Sequence, residues 1–189
     1  MSIAMLYAVL YWAWIVSEVT VVAVTWTKRG SGEVQDRGSM LILWVVIFAS
    51  ISVGTSLGDD AGWTMFGGAH WVRTLSVAVL AVGLAIRWTA IVTLGKSFSV
   101  NVAIHATQTV QKTGLFRMVR HPSYTGLMLV FAAIGIHTRN WLGLAIMLLP
   151  TGAALLYRIH VEERALHGAF GEEYAEYSRV TKRLIPGVY

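Results

Sequence analysis

The chain has 189 residues and a formal charge of +5, yet only 13% of its residues are charged while 56% are apolar. Soluble domains carry roughly 25% charged residues, so this composition points to lipid. With no cysteine, a disulfide framework, Cys-ligated zinc, iron–sulfur clusters and thiol catalysis are excluded, and the eight Trp, seven Tyr and six Phe exclude a disordered chain.

Ile3 to Thr27 is apolar apart from Glu18, long enough to cross about 30 Å of hydrocarbon at 1.5 Å per residue. It is not a cleavable signal, because Lys28 and Arg29 follow the apolar run instead of preceding it. A polar turn from Lys28 to Ser39 leads into a second span, Leu41 to Leu57, and Trp71 to Leu94 forms a third. Gly95 to Arg120 is the longest polar stretch between spans, and long loops tend to carry function. Pro122, suited to the first position of a helix, opens a shorter apolar run ending near His137. Trp141 to Tyr157 returns as the second arm of a tight hairpin. Arg158 to Arg183 is charged and amphipathic, expected in cytosol or along the membrane surface.

The expected fold is therefore all-α: one integral-membrane domain over residues 1–189, with five transmembrane helices and an amphipathic C-terminal helix. Three spans fall in 1–94; the polar loop, the hairpin and the C-terminal helix fall in 95–189. Alternate loops hold twelve of the fifteen basic residues: Lys28, Arg29 and Arg37, then Lys96, Lys112, Arg117 and Arg120, then Arg158, Arg164, Arg179, Lys182 and Arg183. Basic residues collect on the cytoplasmic side, so a multi-pass protein of the cell membrane is expected, N-terminus outside and C-terminus cytoplasmic. Trp12, Trp14, Trp26, Trp44, Trp71 and Trp141 lie mostly toward span ends, as interfacial anchors do. The spacing of Ala81 and Ala85, and the small residues around Gly135, allow close helix contact. No internal repeat is present, which disfavours a transporter of inverted halves.

Polar residues concentrate in the 95–124 loop and the 157–183 tail, which this topology brings to one face. They include Asn101, His105, Gln108, Arg120, His121, Ser123, Tyr124, Arg158, His160, Glu162, Glu163 and His167. Arg158 and Glu162 share a helical face and are spaced to pair. Arg158 follows an apolar span directly, where a charge is costly and an anionic ligand would compensate it. Glu163 and His167 also share a face, but two ligands make no metal site and HExxH is absent, so no metal is assigned. Glu18 is an intramembrane acid, a functional candidate by default, and Arg87 is expected to snorkel to the interface. No phosphate loop, nucleophile elbow or Rossmann fingerprint occurs. The basic charge is spread without aromatic interleaving, which argues against nucleic acid and for anionic lipid.

The stretch Thr113 to Gly126 (TGLFRMVRHPSYTG), followed by Glu162-Glu163 and by Phe170-Gly171-Glu172-Glu173-Tyr174 and Tyr177, resembles the isoprenylcysteine carboxyl methyltransferase family, with a looser likeness to phospholipid N-methyltransferases. The likeness covers Leu94 to Pro186. It implies methyl transfer from S-adenosylmethionine to a lipophilic acceptor, a small molecule or prenylated substrate, with the cofactor in a cytosol-facing pocket. Carried over residue by residue, the cofactor contacts would be Asn101, Gln108, Thr109, Val110, Gln111, Phe116, His121, Pro122, Ser123, Tyr124 and Glu162, with Arg158 facing the acceptor and Arg158 and Glu162 the catalytic pair. Phe116 stands where many members have Tyr, Leu115 where many have Pro, and Gln108 where eukaryotic members have His. A cationic sulfonium suits Glu162 and the faces of Phe116 or Tyr124. An acceptor carboxylate needs no base; an amine, thiol or phenol would need one, from His121, His160 or Glu163. The rival readings are an NADPH-dependent membrane reductase of sterol-reductase type and a non-enzymatic accessory protein.

Overall fold

The computed structural model describes residues 2–25, 33–34, 38–57, 62–98, 103–104 and 108–189. Five helices make up the body: α1 (Ile3–Thr25), α2 (Gly38–Ser56), α3 (Trp71–Leu94), α4 (Pro122–His137) and α5 (Trp141–Val180). A two-residue antiparallel pair, β1 (Glu33–Val34) on β2 (Ala103–Ile104), ties the α1–α2 connection to the polar loop. Among the described residues four helices are long and apolar enough to cross a membrane, and α4, with 16 residues, is shorter. At 1.5 Å per residue α4 reaches about 24 Å, and it lies at the centre, burying Leu127, Val130, Phe131, Ala133 and Ile134.

The polarity of the helices is that of a membrane protein. On α1 the buried residues are Trp14 and Glu18, while Val9, Trp12, Val16, Val19 and Val24 point outward. On α2 the outward face carries Leu41, Ile42, Val45 and Phe48. A water-soluble bundle would place those side chains inside; here lipid is their solvent. Trp14 is not an interfacial anchor: it is 3% exposed, packs edge-on against Phe131 and donates from Nε1 to Glu18 Oε1 at 3.1 Å.

The tightest seam joins α3 to α4 at Gly83 and Gly126. A Cβ on Gly126 would come within 2.6 Å of the Arg87 backbone nitrogen and 2.7 Å of the Gly83 carbonyl oxygen. Only hydrogen fits between these backbones, which is how membrane helices gain contact in the absence of a hydrophobic driving force. Ala81 and Ala85 lie on the exposed face of α3 and take no part in this seam. Gly135 does mediate one, because its Cβ would meet Leu144 at 2.8 Å.

The α4–α5 hairpin turns through Arg139, with φ 56°, and Asn140, whose side chain accepts from the Leu142 and Gly143 amides at 2.9 and 3.2 Å. That cap satisfies two donors at the start of α5. At the other end α5 does not stop at Tyr157. It runs through Arg158 and Glu163 to Gly171, where φ 52° and ψ −124° kink it, a conformation that suits glycine. The segment beyond the kink returns over the loop. Lys182 pairs with Val119, and the carbonyls of Lys182 and Arg183 accept from the amides of Arg120 and His121 at 2.7 and 3.0 Å.

Candidate active site

Two stretches far apart in sequence meet at this end of the bundle. The first comprises residues 108–124. Gln108 to Gln111 have no regular secondary structure, and Gln111 is anchored by its Nε2 to the Thr93 carbonyl at 3.0 Å. A 3₁₀ turn, Gly114–Arg117, follows; the Tyr177 hydroxyl donates to the Phe116 carbonyl at 2.7 Å and fixes it. His121 precedes α4 with φ −123° and ψ 57°, and Pro122 opens the helix. Pro costs nothing there, since the first amides of a helix have no intrahelical partner. The second stretch is the charged half of α5, with Arg158, Glu162 and Glu163 within about a turn and a half.

Glu162 and Glu163, adjacent in sequence, face different partners. Glu163 is a clamp: it accepts from Arg120 Nε at 2.8 Å and Arg183 Nε at 2.9 Å, with His121 Nε2 at 3.4 Å. Burial opposes its ionisation, but the hydrogen bonds from His121, Arg183 and Arg120 outweigh it and hold the carboxyl well below the usual carboxylate range. Such a group is a poor base. Glu162 is more open, with 28% of its side chain exposed, and accepts from the Tyr124 hydroxyl at 2.7 Å. Arg158 is 2% exposed. Its Nε reaches the Tyr124 oxygen at 3.4 Å and its Nη1 donates to Ser39 Oγ on α2 at 2.8 Å. Tyr124 therefore links the two residues that their spacing predicts as a pair. His121 stacks against the Tyr124 ring, with centroids 5.6 Å apart.

A cavity of about 1380 Å³, its open mouth included, runs through this region. Gln108, Thr109, Val110, Gln111, Phe116, His121, Pro122, Ser123, Tyr124, Arg158 and Glu162 all line it, so the structure brings these sequence-derived candidates together. Asn101 and His105 lie outside the described residues. His160 does not line the cavity; it is exposed and paired with Arg164 at 2.8 Å. His167 is exposed and sits edge-on to Tyr174, while Glu163 is committed to its arginines. Among the described residues no group of three or more His, Cys, Asp or Glu is placed to hold a metal ion.

Other wall residues were not foreseen as part of a site. Tyr174 and Tyr177, beyond the Gly171 kink, close one side, and Trp14, Val21, Val22, Met40, Leu43, Trp44 and Ile47 from α1 and α2 form an apolar part. The cavity also touches a buried ion pair. Glu18 accepts from Arg87 through Nε and, at 2.6 Å, through Nη2. Arg87 in turn donates from Nη1 to Ser123 Oγ at 2.9 Å and to the Ser123 carbonyl at 3.3 Å. Arg87 does not snorkel: it is 6% exposed and binds α1 to the start of α4. Two opposite charges within two apolar spans were the available signal.

The sequence pattern of the isoprenylcysteine carboxyl methyltransferase family matches residues 75–168. Protein-S-isoprenylcysteine O-methyltransferase B of Arabidopsis thaliana is 26% identical over 120 residues, 62% of this chain and 61% of its own. The Tribolium castaneum protein-S-isoprenylcysteine O-methyltransferase is 29% identical over 119 residues, 62% of this chain and 42% of its own. Methanethiol S-methyltransferase 1 of Bradyrhizobium diazoefficiens is 36% identical over 72 residues, 38% of this chain and 24% of its own. Among experimental structures, the eukaryotic intramembrane Ras methyltransferase ICMT (isoprenylcysteine carboxyl methyltransferase) superposes with a TM-score of 0.60 at 25% identity, covering 78% of this chain and 52% of that one. The matched region thus spans about six-tenths of the Arabidopsis relative and less of the others.

Proposed function

From the premise that the chain belongs to the isoprenylcysteine carboxyl methyltransferase family, we propose that it transfers a methyl group from S-adenosylmethionine to the carboxylate of a lipophilic, isoprenylcysteine-like acceptor. The observation that carries the reading is the two-part cavity. One part is lined by polar and aromatic groups of residues 108–124 and 162–177, the other by the apolar side chains of α1 and α2. Arg158 connects them, hydrogen-bonded to Tyr124 on one side and to Ser39 of α2 on the other.

The wall suits a sulfonium nucleoside. Glu162 supplies a negative charge, Phe116 and Tyr124 supply ring faces, and the Tyr174 hydroxyl is buried with no partner among the described residues. Gln108, Thr109, Val110, Gln111, Phe116, His121, Pro122, Ser123, Tyr124 and Glu162 would hold the cofactor; bound there, it supplies an electrophilic methyl carbon. Arg158 holds and orients the acceptor carboxylate, which is already ionised and needs no base. Tyr124, fixed between Glu162 and Arg158, sets the spacing of the two. Walls that exclude water and align the reactants can lower the barrier by roughly 7–11 kcal/mol. The isoprenoid part of the acceptor lies against Met40, Leu43, Trp44 and Ile47. The methyltransferase names of the relatives favour this reading over a reductase.

The protein is multi-pass, and the proposed orientation puts the cavity mouth and the C-terminus in the cytoplasm, since most Lys and Arg gather at that end. The native chain lacks cysteine, so single cysteines introduced at Ser2 and Tyr189 report sidedness without background. The test of function is calorimetric titration of the protein in lipid nanodiscs with S-adenosylhomocysteine and, separately, NADPH, followed by transfer of labelled methyl to a farnesylated cysteine. Binding of S-adenosylhomocysteine with transfer that Arg158→Lys lowers at least tenfold is expected. NADPH binding without S-adenosylhomocysteine binding overturns the proposal.

A further inference from the structure

Tyr174 is 3% exposed and lines the cavity, yet its hydroxyl has no hydrogen-bond partner among the described residues. Its neighbours in the same wall are served: Tyr124 donates to Glu162 and Tyr177 to the Phe116 carbonyl. A buried phenol without a partner is costly to the folded state, and buried polar groups are nearly always paired. The ring is not adaptable. It is held edge-on by His167, with centroids 4.8 Å apart, and by Tyr177 at 5.9 Å, and the Gly171 kink three residues earlier delivers it to the cavity.

Resting on the cofactor reading above, we infer that the Tyr174 hydroxyl is a specificity contact for the nucleoside part of the methyl donor, donating to a neutral acceptor such as a ribose oxygen or an adenine ring nitrogen. The choice of partner follows from charge. Burial first, then the nearby Glu163 and Glu162 carboxylates, push the phenol upward and keep it protonated, so it donates. The same two carboxylates repel an anionic acceptor, which argues against the carboxylate at the amino-acid end of the ligand. Arg120, the cation closest in kind to that role, is committed to Glu163 and to the Ser178 and Thr181 carbonyls. Aromatic neighbours Phe116, Phe170 and Tyr177 offer flat apolar faces of the kind a purine needs.

Tyr174→Phe removes the oxygen and keeps the ring. The experiment compares wild type and Tyr174→Phe in nanodiscs by titration with S-adenosylhomocysteine and with 5′-methylthioadenosine, which share the nucleoside but not the amino-acid end, and by thermal unfolding of the ligand-free proteins. The expected result is a loss of about five- to twentyfold in affinity for both ligands, with the unfolding temperature of the ligand-free variant unchanged or raised. Equal affinities in the two proteins overturn the inference. So does a loss confined to S-adenosylhomocysteine, which would place the contact at the amino-acid end, or failure of 5′-methylthioadenosine to bind wild type, which would leave the nucleoside no share in recognition. A lowered unfolding temperature of the ligand-free variant would assign the hydroxyl a structural role instead. Failure of wild type to bind S-adenosylhomocysteine would sink the cofactor reading itself, an outcome separate from these.

Discussion

Replacing Glu18 by Gln strips the countercharge from Arg87 while keeping volume and one acceptor oxygen. Both residues are more than nine-tenths buried inside helices that span the membrane, at the wall of the cavity. Breaking one partner of such a pair costs about 3–5 kcal/mol, and the lenient insertion scale prices an unpaired arginine at mid-membrane at about 2.5–3.5 kcal/mol. The two estimates meet near 3 kcal/mol. For a chain of this size that is a fall of about 6–12 °C in unfolding temperature. Removing both charges with Glu18→Leu and Arg87→Met should recover most of the loss, because apolar replacements of a buried pair are commonly neutral or better. Affinity for S-adenosylhomocysteine should not recover in the double variant, since the Ser123 hydroxyl and carbonyl lose the Arg87 donor that fixes the start of α4. A double-mutant cycle of thermal unfolding in nanodiscs of constant lipid composition, with calorimetric titration alongside, measures both terms. Single variants within about 0.5 kcal/mol of wild type, or effects that simply add, would refute the pairing argument.

Three further outcomes follow from local geometry. Gly126→Ala puts a methyl 2.6 Å from the Arg87 backbone nitrogen, forcing α3 and α4 apart at a cost of about 1–3 kcal/mol or more; an unchanged unfolding temperature would contradict the seam. Asn140→Ala removes the cap of α5 and should cost about 0.5–2 kcal/mol, with Asn140→Asp retaining most of the stability, as chemical denaturation would report. Because the Glu163 carboxyl is held below its ordinary 4.5 in the folded state, its stabilisation is complete above that pH and is lost as pH falls below it. Unfolding temperatures measured from pH 7 down to pH 3 should therefore decline more steeply for wild type than for Glu163→Gln, and parallel curves would count against the clamp.

The limits of α3, Trp71 and Leu94, were readable residue for residue because lipid selects on length and hydropathy alone, and the start of α1 at Ile3 for the same reason. The continuity of the last span with the amphipathic helix after it was not. Charge at Arg158 suggested a boundary, but charged side chains are good helix formers, and α5 continues until Gly171 adopts a left-handed φ. Gln108, His121, Ser123, Tyr124, Arg158 and Glu162 were legible because polar residues beside a bilayer are rare and carry their own signal, whereas Thr109, Gln111 and Phe116 entered only through the family resemblance. The apolar wall of the cavity was not, since a Leu43 or Ile47 turned toward a cavity is indistinguishable in sequence from one turned toward lipid. The Glu18–Arg87 pair falls between these cases. Glu18 of α1 bonds Arg87 of α3, which lies seven residues before the end of that helix at Leu94. Both helices run in the same direction through the bilayer, and the contact sets the two charges at one depth, about 10 Å in from the end of α3. Opposite charges at matched depth on parallel spans can each lower the other's cost of burial, and neither can do so for a charge at another level. Depth is thus what the two charges share, and α4, which begins at their level and not at the end of α3, offers Ser123 of its first turn to the guanidinium.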